Sequence, residues 1–435
     1  MEIAGWGRFP VVAAEERHSE DLFHLTKRAP LTRGAGRAYG DASLPSSLDP
    51  VANTTLANRI LEFDATTATL TAEAGLSLDE IYRIFLPRGY FTPVSPGTRF
   101  VTIGGMVASD VHGKNHHRDG TIGQHVDSLT MRVATGDVVT CSRTINPDLF
   151  CATLGGMGLT GHILQVRLRL ARVPSPWIVA ERERVADINS FLEALESASR
   201  SWPMTAGWID CLSTGPRMGR GVLYRGRLAS REEAPGGFPA LRQPIPVPFT
   251  FPEFVLWPPT VRTFNAINYW RHVPQVRRGV VHPKRFLYPL DSIGNWNRMY
   301  GKRGFTQYQC VLPAEAGPGA AERFLRVLTR RGGASFLCVI KDCGPQGIGL
   351  LSFPKSGVSI ALDIPMRDDV QSLVDALNEV VIAEGGRIYL AKDALTRPQH
   401  FRRMEPRLDE FLRVRRKWDP AGDIRSAQSV RLFGW

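Results

Sequence analysis

From Ile60 the chain reads ILEFDATTATLTAEAG, where apolar and polar positions alternate on both sides of a Thr-rich turn. This pattern predicts two short strands. A helix follows: Ser77 and Glu80 stand three apart as a capping box, Leu78, Ile81, Tyr82 and Phe85 form one apolar stripe, and Pro87 with Gly89 closes the segment. Alternation from Asp127 to Ser142 about Thr135, Gly136 and Asp137 predicts a hairpin, PDLFCATL from Pro147 a helix, and HILQVRLRL from His162 a further strand. Many short strands with few helices make this first part α+β rather than a regular βαβ array.

After about Pro174 the texture changes. Trp202, Trp208, Tyr224, Trp257, Tyr269 and Trp270 concentrate there among long loops. The prolines of PIPVPFTFPEFVLWPP, Pro244 to Pro259, exclude a helix or a central strand across that run. A surface linker or edge segment and an apolar lid over a ligand site both fit it. Past Arg397 the pattern turns helical and basic, with Arg402, Arg403, Arg413, Arg415, Arg416 and Lys417 read mainly as a solvated face.

The 435 residues predict two or three domains at about 150 residues each. With 43% hydrophobic and 22% charged residues, disordered and fibrous readings lose their weight. An excess of 54 Lys and Arg over 42 Asp and Glu favours an anionic partner without choosing among nucleic acid, a phosphorylated small molecule and a membrane surface. No helix-turn-helix, zinc-finger or RNP signature supports nucleic acid. The six scattered cysteines form no metal or disulfide framework, which fits a reducing compartment. Charged residues interrupt the N-terminal stretch, and no apolar run approaches the ~18 residues of a span, so neither a signal peptide nor a transmembrane segment is expected. A cytoplasmic protein is the expectation.

Gly156, Gly158 and Gly161 satisfy G-x-G-x-x-G by letter, but a helix precedes them and a strand follows, the reverse of a dinucleotide-binding turn. LTRGAGRAYGDA, Leu31 to Ala42, is the better phosphate cradle, because its glycines allow close backbone approach and Arg33 and Arg37 add charge. Ser95 to Val126 adds a Gly104-Gly105 pair and four histidines, a composition typical of ligand loops. His112 and His116 are four apart, yet Gly113 and Asn115 disfavour a helix there and no carboxylate or thiolate stands at ligand spacing, so no metal is expected.

Together, GWGR at Gly5, RGAGRAYGD, PGTRFVTIGG, DVHGKNHH, GLTG, YPLD, WNRMYG, QYQ, YLAKD and RRKWDP make the chain resemble the vanillyl-alcohol-oxidase-type FAD-binding oxidoreductases over nearly its whole length. HGKNHH and AKD point to the polyprenyl-phosphoryl-ribose oxidase subgroup. The resemblance implies an α+β fold: a two-part PCMH-type (vanillyl-alcohol-oxidase-like) FAD-binding domain over residues 1–175, a substrate-binding domain over 176–386 with an antiparallel sheet flanked by helices, and a C-terminal segment, 387–435, returning to the first domain.

By the same resemblance Arg33, Gly34, Ala35, Gly36, Arg37, Ala38, Tyr39, Gly40, Asp41 and Ala42 hold the FAD pyrophosphate. Gly97, Thr102, Ile103, Gly104, Gly105, Ser109, Asp110, Val111, His112 and Ile163 line the rest of the cofactor, and Tyr389 touches the flavin. Relatives that attach flavin covalently through this loop carry a His where this chain has Tyr39, so non-covalent FAD is expected. Lys392 and His112 are the expected catalytic residues. Removing a hydride from a secondary alcohol leaves an oxygen that must lose its proton, and a cation or base beside it lowers the barrier. The residue types do not decide which of the two takes the proton.

Lys114 and His117 are implied at a phosphate-facing mouth, although a structural role suits His116 or His117 nearly as well. Trp208, Tyr288, Gln307, Gln309 and Lys341 are implied along the substrate cavity; Trp208 also suits a core, and the glutamines also suit backbone bonding. Ser359 and Ala361 complete the substrate set. They stand where the best-known members carry an asparagine and a cysteine, and that cysteine is the thiol captured by covalent inhibitors of the family. The implied reaction converts the ribose 2-hydroxyl of a polyprenyl-phosphoryl ribose to the ketone. An NADH-dependent short-chain reductase is the implied pathway partner, and loose membrane association is expected. A soluble sugar or alditol oxidase of the same fold is the alternative.

Overall fold

The capping box forms as the sequence requires. Ser77 Oγ accepts from the Glu80 amide at 3.2 Å, and the Glu80 carboxylate accepts from the Ser77 amide at 2.8 Å, at the head of helix Leu78–Phe85. The stripe Leu78, Ile81, Tyr82 and Phe85 is buried. The computed structural model describes residues 1–238, 244–333 and 335–434.

The N-terminal part carries a short parallel sheet of β1 (Glu16–His18), β2 (Thr32–Arg33) and β3 (Val51–Asn53), in the order β1-β3-β2. Beside it, β4 (Ile60–Asp64), β5 (Thr69–Glu73), β6 (Val126–Arg132), β7 (Val138–Ser142) and β8 (His162–Arg169) form an antiparallel sheet in the order β7-β6-β8-β5-β4. The two expected hairpins are β4–β5 and β6–β7, the latter turning at Gly136 with φ +93°. One hydrophobic core unites this sheet with Leu78–Phe85, with α2 (Ile103–Ala108) and with α3 (Pro147–Thr153), Leu78–Phe85 being α1.

A second antiparallel sheet has eight strands: β9 (Ile178–Val185), β10 (Met204–Ile209), β11 (Gly221–Leu228), β12 (Val276–Val281), β13 (Phe305–Pro313), β14 (Cys338–Cys343), β15 (Gly357–Pro365) and β16 (Arg387–Ile388). Their order is β12-β9-β11-β10-β14-β15-β13-β16. The period of two divides its residues between faces. On one face Tyr308 stacks on Phe324 of α6 (Gly319–Arg330) and donates to Asn378 of α7 (Val370–Ala383) at 2.9 Å, while Phe191 of α4 (Ile188–Ser201) fills the place a Gly207 side chain would take. The other face looks into a cavity.

Pro258 opens α5 (Pro258–Trp270) at its first turn, where the missing N–H costs nothing. The proline-rich run before it holds only a two-residue bridge, Ile245–Pro246 to Ile293–Gly294, and one 3₁₀ turn, Glu253–Leu256. The basic tail forms α8 (Pro398–Met404), α9 (Leu408–Trp418) and α10 (Ala427–Phe433). Arg415 departs from the expected solvated face: it is 4% exposed and bonds Asp419 and the Ile424 carbonyl.

Candidate active site

Between the open face of the eight-stranded sheet and the glycine loops lies a cavity of about 1110 Å³. Register explains which sheet residues reach it. Trp208, Val339, Ala361 and Gln309 stand side by side across β10, β14, β15 and β13, and Lys341 pairs with Ser359 one step along. All six line the cavity, as do Gln307, His112, Lys114, Tyr389 and Lys392.

The opposite wall is the expected cofactor side. Gly34, Ala35, Gly36, Arg37, Ala38, Tyr39, Ala42, Gly97, Thr102, Gly104, Gly105, Ser109, Val111 and Ile163 line it. Thr102 caps α2 by accepting from the Gly105 amide, and a side chain on Gly34 would collide with the Thr102 hydroxyl. Glycine there lets the two loops touch. Met157, Gly158 and Gly161 of the reversed glycine motif also reach the cavity, so that motif serves the site without a dinucleotide turn.

Lys392 Nζ sits 3.8 Å over the centre of the Tyr39 ring. Burial drives its pKa down to about 7, with Asp363 pulling the other way. Asp363, itself lifted to about 6 by burial, accepts from Tyr300 at 2.8 Å and Gln307 at 2.5 Å. Burial, reinforced by the Lys341 ammonium, holds His112 well below the ordinary imidazole range, so the ring is neutral. Its Nε2 lies 3.2 Å from the Gln309 amide nitrogen, which also reaches Ser359 Oγ at 3.2 Å. Donation from Gln309 makes Nε2 the acceptor and puts the imidazole proton on Nδ1. Tyr389 and Phe353 flank the ring at centroid distances of 5.3 and 5.5 Å. Lys341 and Lys114 each give one bond to a carbonyl, of Gly113 and Leu287, and burial lowers both, Lys114 to about 8.

Seven expected residues stand behind the wall instead. Arg33 ion-pairs with Glu16 at 2.8 Å and bonds the Ala4 carbonyl. Gly40 presses on the Asp393 backbone, and Asp41 takes both arms of Arg431 at 2.8 Å. Ile103 is core, and Asp110 is fully buried against Gly123 and Ser352. His117 pairs with Asp342 at 2.9 Å, which lifts the imidazole above its ordinary value against the pull of burial. Tyr288 is fully buried and its phenol meets Ser95. His116 is structural too, its Nδ1 accepting from Gly344.

Sequence reasoning missed Asp363, Tyr300, Phe353 and Arg431. Arg431 bridges Asp41 and Asp393 at 2.8 Å each, tying the glycine loop to the turn that carries Lys392. The AKD motif contained half of that signal, since Asp393 beside Lys392 required a counter-charge.

The cofactor wall fits FAD. Around Gly97 and Gly158 a side chain would meet no atom within 4 Å, so backbone alone faces the space. The Arg37 guanidinium lies 4.1 Å over Trp6 and 5.4 Å over Phe100, with its buried Nε unpartnered. A buried cation beside glycine backbone suits a diphosphate.

Comparison with known proteins agrees. The model of a family described as an FAD binding domain matches residues 21–142. Fold and site thus define an FAD-dependent oxidoreductase acting on a CH–OH group. The chain is 34% identical over 458 residues to the decaprenylphosphoryl-β-D-ribose oxidase of Mycolicibacterium smegmatis, covering 99% of this chain and 97% of that protein. It is 31% identical to an uncharacterized protein in the mprA 5′ region of Streptomyces coelicolor, covering 82% of this chain and 100% of that protein, and 22% identical to bovine L-gulonolactone oxidase, covering 86% and 83%. The chain belongs to the decaprenylphosphoryl-β-D-ribose oxidase family of flavoproteins. No helix among the described residues is long and apolar enough to cross a membrane.

Proposed function

We propose that the protein oxidises the 2-hydroxyl of a ribose joined through phosphate to a polyprenyl lipid, giving the 2-keto sugar, with FAD held non-covalently. One observation carries the reading: Lys392, His112, Gln307, Gln309 and Lys341 line one large cavity together with Trp208, Phe264, Val339 and Phe336. Polar groups for a phosphosugar and apolar walls for a tail occupy one space.

The fitted residues divide the work. Gly34 to Arg37, Gly97, Thr102, Gly104 and Gly105 hold FAD, which when bound supplies the two-electron acceptor. Gln307 and Gln309 orient the sugar hydroxyls. Lys392, with a pKa of about 7, takes the hydroxyl proton, because its Nζ faces the cavity while His112 Nε2 is engaged by Gln309. Neutral His112 positions the sugar. Lys341 and Lys114, each with donors to spare, meet the phosphate. Tyr39 stands at the loop position used for covalent attachment elsewhere, and its buried phenol stays protonated, held well above its ordinary value. The product ketone is the substrate for a short-chain reductase using NADH, and the lipid substrate keeps a cytoplasmic enzyme at the membrane surface.

Anaerobic mixing with a short-chain polyprenyl-phosphoryl-ribose analogue tests the reading. Bleaching of the oxidised flavin band by this compound, but not by free ribose or xylitol, is expected. Bleaching by free polyols alone transfers the protein to the soluble alditol oxidases, and flavin that stays with the acid-precipitated protein overturns non-covalent binding.

A further inference from the structure

The segment from Phe254 to Leu290 contains no Asp or Glu, whereas it holds Arg262, Arg271, Arg277, Arg278, Lys284 and Arg285. It includes α5 and β12, the edge strand of the large sheet. On α5 the buried positions are Val261, Asn265, Asn268 and Tyr269, and beside exposed Thr260, Arg262 and Thr263 three large apolar residues point outward: Phe264 is 48% exposed, Ile267 62% and Trp270 53%. Trp257 just before the helix and Val273 just after it are 61% and 66% exposed. A globular protein seldom shows water so many large apolar groups on one short element.

The helix is also a cavity wall. Thr260, Val261, Phe264, Asn268 and Arg271 line the 1110 Å³ space, and Val255 and Phe251 extend the same rim. The exposed apolar face is thus continuous with the cavity mouth. Arg277 and Arg278 stand beside it on exposed β12, which is held to the helix side by Arg184, 4.8 Å from the Trp270 ring and hydrogen-bonded through its amide to Gln275.

We propose that the Trp257–Val273 face, with Arg277 and Arg278, docks the protein on an anionic lipid bilayer so that the cavity opens at the headgroup level. The apolar stripe enters the boundary between headgroups and acyl chains, and the arginines meet lipid phosphates. Exposed Glu253 borders this surface, and Glu181 and Glu183 of neighbouring β9 are taken by Arg225, so the remaining cation excess favours an anionic surface over an ordinary protein partner, whose interface charges are mixed. This inference rests on the lipid-linked substrate proposed above. With the mouth at the bilayer, a polyprenyl tail stays in lipid while its phosphosugar reaches Lys392.

Sedimentation of the FAD-loaded enzyme with phosphatidylglycerol–phosphatidylcholine vesicles, compared with pure phosphatidylcholine vesicles, tests it. Binding to the anionic vesicles, weakened by salt, is expected. Two variants, Trp257→Ser/Ile267→Ser and Arg277→Glu/Arg278→Glu, touch no residue assigned to the cavity and are checked for retained flavin. Each is expected to weaken partitioning by about tenfold or more, while flavin reduction by a soluble short-chain substrate without vesicles stays unchanged. Absence of binding to anionic vesicles, or binding by both variants as strong as that of the parent, overturns the proposal. Failure of the substrate reading shows separately, as no flavin reduction in free solution by any variant or the parent.

Discussion

Lys392 Nζ lies 3.8 Å above the Tyr39 ring, so the ammonium faces a π surface on one side and the cavity on the other. A cation–π contact compensates part of the lost hydration, but no ion pair holds Lys392 among the described residues. Its charge is therefore held at a cost that the reaction can use.

Lys392→Met should lower the rate of flavin reduction by about 10²–10⁴-fold, the usual weight of a positioned acid or base, with FAD retained. The same change should stabilise the apoprotein. An unfolded lysine titrates near 10.5 and native Lys392 near 7, so between those values the unfolded chain holds a proton the native one lacks and stability rises with pH. Below 7 the full burial cost applies. A melting comparison should show the variant ahead by a few kcal/mol, on the order of magnitude given by that shift, in mild acid, with the advantage shrinking toward alkaline pH.

If neutral Lys392 accepts the proton, the anaerobic reduction rate should rise with pH through about 7. Asp363 lifts the Lys392 pKa, so Asp363→Asn should move the rising limb to lower pH by about one unit. A merely structural role for Asp363 predicts a lower rate with the limb unmoved.

The chemistry legible in the sequence was that of short motifs. YLAKD exposed Lys392, and QYQ, through the family resemblance, pointed to Gln307 and Gln309, which β13 carries on one face. Asp363 was hidden in SGVSIALDIP, which reads as a strand, because its partner Tyr300 lies 63 residues away. His117 and Tyr288 had suitable chemistry, but orientation comes from Asp342 and Ser95, which no local spacing announces. Helix α5 was hidden by the prolines before it, although a proline at the first helical turn is among the commonest starts.

Arg431→Ala should leave the buried carboxylates of Asp41 and Asp393 without their shared cation, a loss of about 3–5 kcal/mol for a buried pair broken on one side. Thermal melting should register it, and FAD should dissociate more readily, because the glycine loop loses its tether to the turn that carries Lys392.

Ala361 faces the cavity, and no cysteine does among the described residues. Thiol-directed inhibitors activated at the flavin should leave the mass of the native protein unchanged. Ala361→Cys should gain one adduct, read by intact mass, and excess phosphosugar substrate should slow its formation.

The Arg431 bridge joins residues separated by 390 positions. During synthesis the glycine loop leaves the ribosome long before the cation that fixes it. Asp41 and Asp393 wait as an uncompensated acidic pair until α10 has emerged and docked. Cofactor capture is thereby tied to the arrival of Arg431: a ribosome stalled before residue 431 carries a loop that lacks its anchor and a flavin site that has not settled.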